Sequence, residues 1–238
     1  MTPQPARLAR HVDALDAEAL AIARSVLYAA LFDYPLTLAQ LRQALIESAQ
    51  TPTEILGAYN RSAPLQSVVD YRDGFFFPRD RQELVDERRR REARSRAFLR
   101  RHRTLLTLVS SLPYVRMVAL SGSIAHLNLE GDGDLDLFIV TRGRRVWSVT
   151  VAVVVLAKLL RRRRTVCANF VVADSHLALE QTDLFTASQI VHLRPIVGRD
   201  VFQQFVAANR SCSASIRISI PRPRPGSRGW CGIRRPPV

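Results

Sequence analysis

The residues best suited to chemistry are two aspartates, Asp134 and Asp136, at the head of an apolar segment. Successive side chains of a strand point to opposite faces, so Leu135, Leu137 and Ile139 would share the face opposite the two carboxylates. Carboxylates held this close repel each other unless a cation lies between them, and hard divalent cations such as Mg²⁺ prefer carboxylate oxygens. The pair therefore predicts a binding site for a divalent metal.

A Gly-Ser turn, Gly122 and Ser123, precedes the aspartates and follows a second apolar strand, residues 115–120. Glycine allows the backbone to approach a ligand closely. The backbone N–H groups and the hydroxyl that follow it, at the start of a short helix, suit a phosphate. A phosphate site that faces a metal-binding carboxylate pair is what phosphoryl or nucleotidyl transfer requires.

The acidic stretch between the two strands has a second explanation, because Gly-Asp-Gly-Asp is also typical of a surface turn between hairpin strands. That explanation accounts for residues 130–133. It does not account for Asp136 inside the strand, since aspartate is depleted from strands unless something holds it there. The pattern therefore favours a site over a simple turn.

Together, Gly122, Ser123, Asp134 and Asp136 resemble the signature of the DNA polymerase beta-type nucleotidyltransferase superfamily, in which Gly-Ser precedes an Asp-x-Asp strand. The resemblance implies an α+β fold with a mixed sheet and flanking helices. It also implies an NTP held through its phosphates by Gly122 and Ser123, with Mg²⁺ or Mn²⁺ held by Asp134 and Asp136. The expected reaction moves a nucleoside monophosphate from the NTP to a hydroxyl of an acceptor, which is a small molecule, a protein or an RNA.

A third carboxylate usually lies on a later strand in that superfamily, and there this chain departs from the pattern. The strand predicted over residues 165–173 offers Asn169, and the nearest acid is Asp174 at its end. An asparagine can give a metal one carbonyl oxygen but cannot act as a general base. Either Asn169 or Asp174 stands at the third catalytic position, or transfer is weak or absent. A purely structural role for the Asn169 amide is equally open.

The first 80 residues predict a small winged-helix domain that precedes the core. Three short segments carry helical spacing or helix-start signals, at residues 19–32, after Thr37, and after Thr51-Pro52. Asp73-Gly74 then lies between two β-rich runs, which is a strong hairpin signal. Three short helices followed by a hairpin are the elements of a winged helix.

Winged helices commonly place their third helix in the DNA major groove. Here that helix, residues 54–62, has Arg61 as its only basic group, so protein contact or a scaffold role stays as open as DNA binding. The alternative to an enzyme is accordingly a winged-helix DNA-binding regulator with a nucleotide-sensing or catalytically degenerate domain.

Residues 81–112 predict a long, arginine-rich helix that connects this domain to the nucleotidyltransferase core at residues 113–209. Acids alternate with its arginines, and Phe98 is the only Phe, Tyr or Trp of the segment. This favours a solvated connecting helix, docked through apolar residues of its far half, over an electropositive strip for triphosphate, RNA or DNA. In the core, residues 146–160 predict a buried helix, and residues 184–192 and 199–208 predict helices on the open face of the sheet.

The net charge of +14 points to nucleic acid, acidic lipid or an anionic substrate. Lys158 is the only lysine, so the bias towards arginine can also reflect a GC-rich coding sequence. Residues 210–238 hold no acid and are rich in Arg, Pro, Ser and Gly. They predict a disordered basic tail or an out-of-frame sequence.

Three separated cysteines and the lack of an apolar leader favour the reducing cytoplasm. The longest apolar run, residues 146–160, is shorter than the roughly twenty residues that span a bilayer. No membrane partner is therefore expected.

Overall fold

The computed structural model describes residues 14–131, 133–181 and 183–209. They divide into two compact units, residues 14–90 and residues 91–209. The division falls inside the arginine-rich segment that was predicted to connect two domains. The predicted basic tail at residues 210–238 lies outside the described residues.

The first unit consists of four helices and a three-stranded antiparallel sheet with strand order β1-β3-β2. The helices are α1 (Ala17–Ala30), α2 (Leu38–Gln43), α3 (Pro52–Arg61) and α4 (Ala63–Gln66), and the strands are β1 (Leu36–Thr37), β2 (Val69–Arg72) and β3 (Phe75–Pro78). Fully buried apolar side chains from both layers form its core, among them Ile22, Leu41, Ile55, Leu65 and Phe76.

Local sequence signals explain where these elements begin and turn. Thr37 and Thr51 each form a capping box with the residue three positions later, and a proline opens α3. Asp73 and Gly74 both have positive φ, 52° and 82°, as a two-residue hairpin turn requires. The predicted helix starts and the hairpin are confirmed, while the winged-helix fold stays a prediction.

The arginine-rich segment forms two helices, α5 (Glu83–Arg101) and α6 (Arg103–Ser110), and not the single long helix that was predicted. The break lies at His102, which is buried, and whose Nδ1 is 2.9 Å from the carbonyl oxygen of Phe98. Along α5, Arg90 pairs with Glu87 and Arg96 pairs with Glu92, as expected of a solvated face. Other arginines of this helix are buried, as described below.

Arg88 is one of these buried side chains, and it anchors the first half of α5 to the first unit. Its guanidinium donates a 2.8 Å hydrogen bond to the hydroxyl of Tyr34 and lies 3.9 Å from the centre of that ring. Arg88 is only 3% exposed. The prediction of a fully solvated helix is therefore wrong at this position, because planar guanidinium groups stack well on aromatic faces.

The second unit is built on a mixed four-stranded sheet with strand order β6-β5-β4-β7. Its strands are β4 (Val115–Leu120), β5 (Leu135–Thr141), β6 (Val166–Ala173) and β7 (Arg194–Val197), and its other helices are α7 (Gly122–Ala125), α8 (Val146–Leu159), α9 (Leu184–His192) and α10 (Arg199–Ala208). Strand β5 is antiparallel to β4 and parallel to β6, and β7 is antiparallel to β4. The α+β class with a mixed sheet is confirmed.

Helices cover both faces of this sheet. Leu135, Leu137 and Ile139 lie in one apolar cluster with residues of α6, α7 and α8, which confirms the predicted alternation along β5. Phe138 and Val140 lie in the opposite cluster with residues of α9 and α10. Asp136 therefore belongs to the second face, because it alternates with Leu135 and Leu137.

Helix α8 differs from its prediction as a buried helix. One side of it is buried, through Val149, Val153 and Ala157. The other side exposes a row of apolar side chains four residues apart, at Trp147, Val151, Val155 and Leu159. The sequence alone did not separate the buried side from the exposed side, because both sides consist of apolar residues. None of the described helices combines the length and hydropathy that a membrane span requires.

Candidate metal and nucleotide site

The predicted site residues come together at one edge of the four-stranded sheet. Strand β4 ends there and β5 begins there, with the Ser121 N–H donating a 3.0 Å hydrogen bond to the Asp136 carbonyl oxygen. Strand β6 begins at the same edge and pairs Cys167 with Asp136. Strand β7 also begins there and pairs Arg194 with Leu120. Four chain segments therefore present side chains at one edge.

Gly122 and Asp136 are in close contact at this edge. Gly122 has φ +60°, and a Cβ placed on it would lie 2.4 Å from Oδ2 of Asp136. The left-handed backbone disfavours any side chain, and the carboxylate fills the space that a side chain would take. Glycine is thus required here both by conformation and by the position of Asp136, which joins the two predicted motifs physically.

Asp136 is half-buried, and Asp134 lies exposed just before β5. Burial raises the pKa of the Asp136 carboxyl above its usual value, and the nearby negative charge of Asp134 raises it further. The neighbouring Cys167 side chain acts in the opposite direction on this pKa. Ionising Asp136 is therefore costly, because a second carboxylate lies close to it. A divalent cation bound between the two carboxylates would lower this cost.

Ser121 and Ser123 flank Gly122 but have different environments. Ser123 is exposed, so its hydroxyl and the turn are accessible to a phosphate. Ser121 is 3% exposed, and within the described part of the chain its Oγ has no hydrogen-bond partner. Alternation along β4 directs Ser121 to the face that carries Asp136. An unpartnered buried hydroxyl in such a place calls for an explanation, and the sequence motif gave no reason to single it out.

Cys167, and not Asn169, lies directly opposite Asp136 on the neighbouring strand. The register shifts between Asp136 and Phe138, so that Phe138 pairs with Phe170 and three residues of β6 span two of β5. Asn169 falls in this irregular stretch and is exposed, and its side chain makes no hydrogen bond within the described residues. The structure brings Gly122, Ser123, Asp134 and Asp136 together with Cys167, whereas the catalytic role of Asn169 stays a prediction.

Asp174, the other residue considered for the third position, lies at the opposite end of the sheet. Its partner there is Arg116, with a 2.9 Å ion pair, and its Oδ1 accepts a 2.9 Å hydrogen bond from the Gly143 N–H. The hydrogen bond from Arg116 is the main reason why the pKa of Asp174 is lowered. Since β5 pairs Thr141 with Ala173 at that end, Asp174 has a structural role away from Asp136.

The second half of α5 holds the acidic loop that leads to Asp134. Arg91, which is largely buried, pairs with Glu130 at 2.8 Å. Arg94 donates a 3.1 Å hydrogen bond to the Leu129 carbonyl oxygen, and the Leu129 N–H donates one of 3.1 Å to Oγ of Ser95. These contacts fix the loop on a helix, and they correct the prediction that α5 is only a solvated connection.

Basic and aromatic groups border the same edge. Arg163 and Cys167 line a cavity of about 180 Å³ together with residues of α8. Burial raises the pKa of the Cys167 thiol and the charges of Asp136 and Asp134 raise it further, while the positive charge of Arg163 acts in the opposite direction. The rings of His126 and His192 stack with centroids 4.1 Å apart, and burial lowers the pKa of His192. The edge thus combines a carboxylate pair with a nearby guanidinium and a stacked pair of imidazole rings.

The donor set at this edge fits a metal only in part. Within the described residues, no group of three or more His, Cys, Asp or Glu side chains is arranged to hold a metal ion by itself. Asp134 and Asp136 can still supply carboxylate oxygens, and a Mg²⁺-type cation commonly takes its remaining ligands from water and substrate phosphates. Metal binding at this edge would therefore depend on a bound nucleotide.

Searches of family models, curated proteins and solved structures each found no match to this chain.

Proposed function

We propose that the chain is a metal-dependent nucleotidyltransferase, which moves a nucleoside monophosphate from an NTP to the hydroxyl of an acceptor. The observation that carries the proposal is the contact of the Asp136 carboxylate with Gly122. It joins the carboxylate pair to the Gly-Ser turn, so that metal and phosphate ligands would lie next to each other, as transfer at a phosphate requires.

Each residue has a definite part in this proposal. Gly122 and Ser123 would bind the triphosphate through backbone N–H groups and a hydroxyl, and Asp134 and Asp136 would hold Mg²⁺ or Mn²⁺. The bound cation would neutralise charge on the triphosphate. Arg163 would add positive charge beside the phosphates. The half-burial of Asp136 keeps water away from part of its carboxylate, which strengthens its interaction with a cation.

The distribution of charge supports an anionic ligand at the second unit. Residues 91–209 contain sixteen arginines and one lysine against nine acids, whereas residues 14–90 contain nine arginines and eleven acids. Arginines near the hairpin of the first unit are also paired, such as Arg72 with Asp70 and Arg81 with Asp33. The proposal accordingly does not extend to DNA binding by the first unit.

Thermal unfolding of the full chain tests the nucleotide and metal part of the proposal. ATP or another NTP with Mg²⁺ should stabilise the wild type by linkage, by about 2.7 kcal/mol at a ligand concentration one hundred times Kd. Neither ligand alone should do so to the same extent. Asp136→Ala should abolish the gain, and the matched variant Asp200→Ala, on the exposed first turn of α10, should retain it. An equal gain in wild type and Asp136→Ala rejects the site.

Incubation with NTPs labelled on the α-phosphate, Mg²⁺ or Mn²⁺ and a cell extract tests transfer itself. A nucleotidyltransferase transfers the label to a protein, an RNA or a small molecule, which separation by size then identifies. The label should not be transferred by Asp134→Ala or Asp136→Ala. Wild type that binds NTP with metal but labels nothing would support nucleotide sensing in place of catalysis.

A further inference from the structure

Strand register places a further side chain beside the carboxylate pair of Asp134 and Asp136. The inference drawn from it rests on the proposed function. Asp136 has Ser121 beside it, directly after the end of β4, and Cys167 beside it on β6. Directly paired residues of neighbouring strands project to the same face of a sheet. Ser121, Asp136 and Cys167 therefore form a row across three strands, on one face and at one edge.

Register and charge indicate that the side chains of this row are neighbours. Cys167 and Asp136 are direct partners across β6 and β5, and burial raises the pKa of the Cys167 thiol, which the nearby charges of Asp136 and Asp134 raise further. On the other side, the buried Oγ of Ser121 has no partner among the described residues. An exposed thiol, a half-buried carboxylate and an unpartnered buried hydroxyl in one row indicate a position for a ligand, because most buried polar groups of proteins have a hydrogen-bond partner.

We propose that Cys167 is a metal ligand of this site, together with Asp136, and that its thiolate sulfur shifts the preference of the site from Mg²⁺ towards thiophilic divalent cations. Sulfur ligands select softer metals, whereas Mg²⁺ takes oxygen ligands almost exclusively. Binding of the cation would release the thiol proton to solvent, and the Asp136 carboxylate would supply an oxygen ligand beside the sulfur. NTP phosphates and water complete the coordination.

Cys167 is accessible for this role. It is exposed and carries no disulfide, and Arg163 beside it provides the positive charge that attracts a triphosphate. Strand β6 lies at the end of the sheet order, so a nucleotide can approach Cys167 without crossing another strand.

Cobalt absorption gives a direct test, because a thiolate bound to Co²⁺ produces a sulfur-to-metal charge-transfer band that oxygen and imidazole ligands do not. The full chain should carry Cys212→Ser and Cys231→Ser, which leaves Cys167 as the only thiol. In the presence of ATP, Co²⁺ should give this band in that background and lose it in Cys167→Ser. Absence of the band in the background protein overturns the inference.

Thermal shifts with ATP and Mg²⁺, Mn²⁺, Co²⁺ or Cd²⁺ give a second readout that does not depend on turnover. Cys167→Ser should weaken Cd²⁺ and Co²⁺ binding about tenfold or more while leaving Mg²⁺ nearly unchanged. Cys167→Asp, which supplies a third carboxylate, should reverse the order and favour Mg²⁺. If Asn169 completes the site instead, Asn169→Ala should weaken cation binding. The order of preference among the four cations should then be the same in the wild type and in Cys167→Ser.

The two proposals can fail separately. If the nucleotide stabilises the protein with Mg²⁺ and the Cys167 variants keep the wild-type cation order, the thiol assignment is wrong and the proposed function stands. If no combination of nucleotide and cation stabilises the wild type, both are wrong.

Discussion

Replacement of Gly122 by alanine is the most direct test of how the site is built. Gly122 has φ +60°, a conformation that costs about 1–2 kcal/mol for a residue with a side chain. Its new Cβ would also lie 2.4 Å from Oδ2 and 3.2 Å from Cγ of Asp136, so the carboxylate must move, at a cost of about 1–3 kcal/mol as in other overpacked sites. Gly122→Ala should therefore destabilise the second unit by roughly 2–5 kcal/mol.

A second glycine separates the two contributions. Gly143 has φ +56°, and a Cβ placed on it meets no atom within 4 Å. Gly143→Ala should therefore cost only the backbone part, about 1–2 kcal/mol. In an Asp136→Ala background, which removes the carboxylate, Gly122→Ala should cost no more than Gly143→Ala. The difference between the two backgrounds is the coupling between Gly122 and Asp136.

Hydrogen exchange measured by mass spectrometry is the suitable assay, since the chain has two units and need not unfold in one step. Peptides that cover residues 115–141 report on β4 and β5, and peptides from residues 14–90 should not change. An additive cycle, or a Gly122→Ala cost equal to that of Gly143→Ala, would refute the close contact. In that case the Gly-Ser turn and the carboxylate pair would be independent features.

Three further changes have defined outcomes in urea unfolding. Asp136→Asn should stabilise the protein at neutral pH, because folding raises the pKa of the Asp136 carboxyl. The stability of the wild type therefore falls as pH rises from near 3.8 through the raised pKa. At lower pH the carboxyl is protonated in both states, and the gain from the substitution should vanish. Arg116→Gln should lower the free energy of unfolding by about 1 kcal/mol and leave the stabilisation by nucleotide unchanged. This loss of stability should fade as pH falls through the lowered pKa of Asp174. Ser95→Ala should cost about 1–3 kcal/mol by leaving the Leu129 N–H unpaired, with faster exchange confined to peptides over residues 127–131.

Sequence reasoning succeeded where the signal is local. The capping residue Thr51 and the turn residues Asp73 and Gly74 act on backbone groups a few positions away, so their spacing alone determines the result. The alternation of Leu135, Leu137 and Ile139 worked for the same reason, since each strand residue reports on which face is buried. These signals sufficed for the local elements, whereas the α+β class with a mixed sheet was implied by the resemblance that the Gly-Ser and Asp-x-Asp motifs carry.

Long-range pairing was beyond the reach of the sequence. The residue opposite Asp136 depends on the register of β5 against β6, and the irregularity after this pair places Cys167 there and leaves Asn169 in the shifted stretch. A shift of this kind redirects side chains without any local sequence mark. The same limit applies to Arg91, whose pairing with Glu130 depends on how α5 packs within the second unit.

Three unfavourable features lie at the edge that carries the proposed site. Gly122 holds a left-handed backbone against a carboxylate, Asp136 is costly to ionise beside Asp134, and Oγ of Ser121 is buried with no partner among the described residues. Folding alone does not need any of them, since an apolar strand end would be more stable. Sequences that otherwise follow their fold usually keep such features where a ligand compensates for them. A bound cation would lower the cost of ionising Asp136, and this is the compensation that the proposed site would supply.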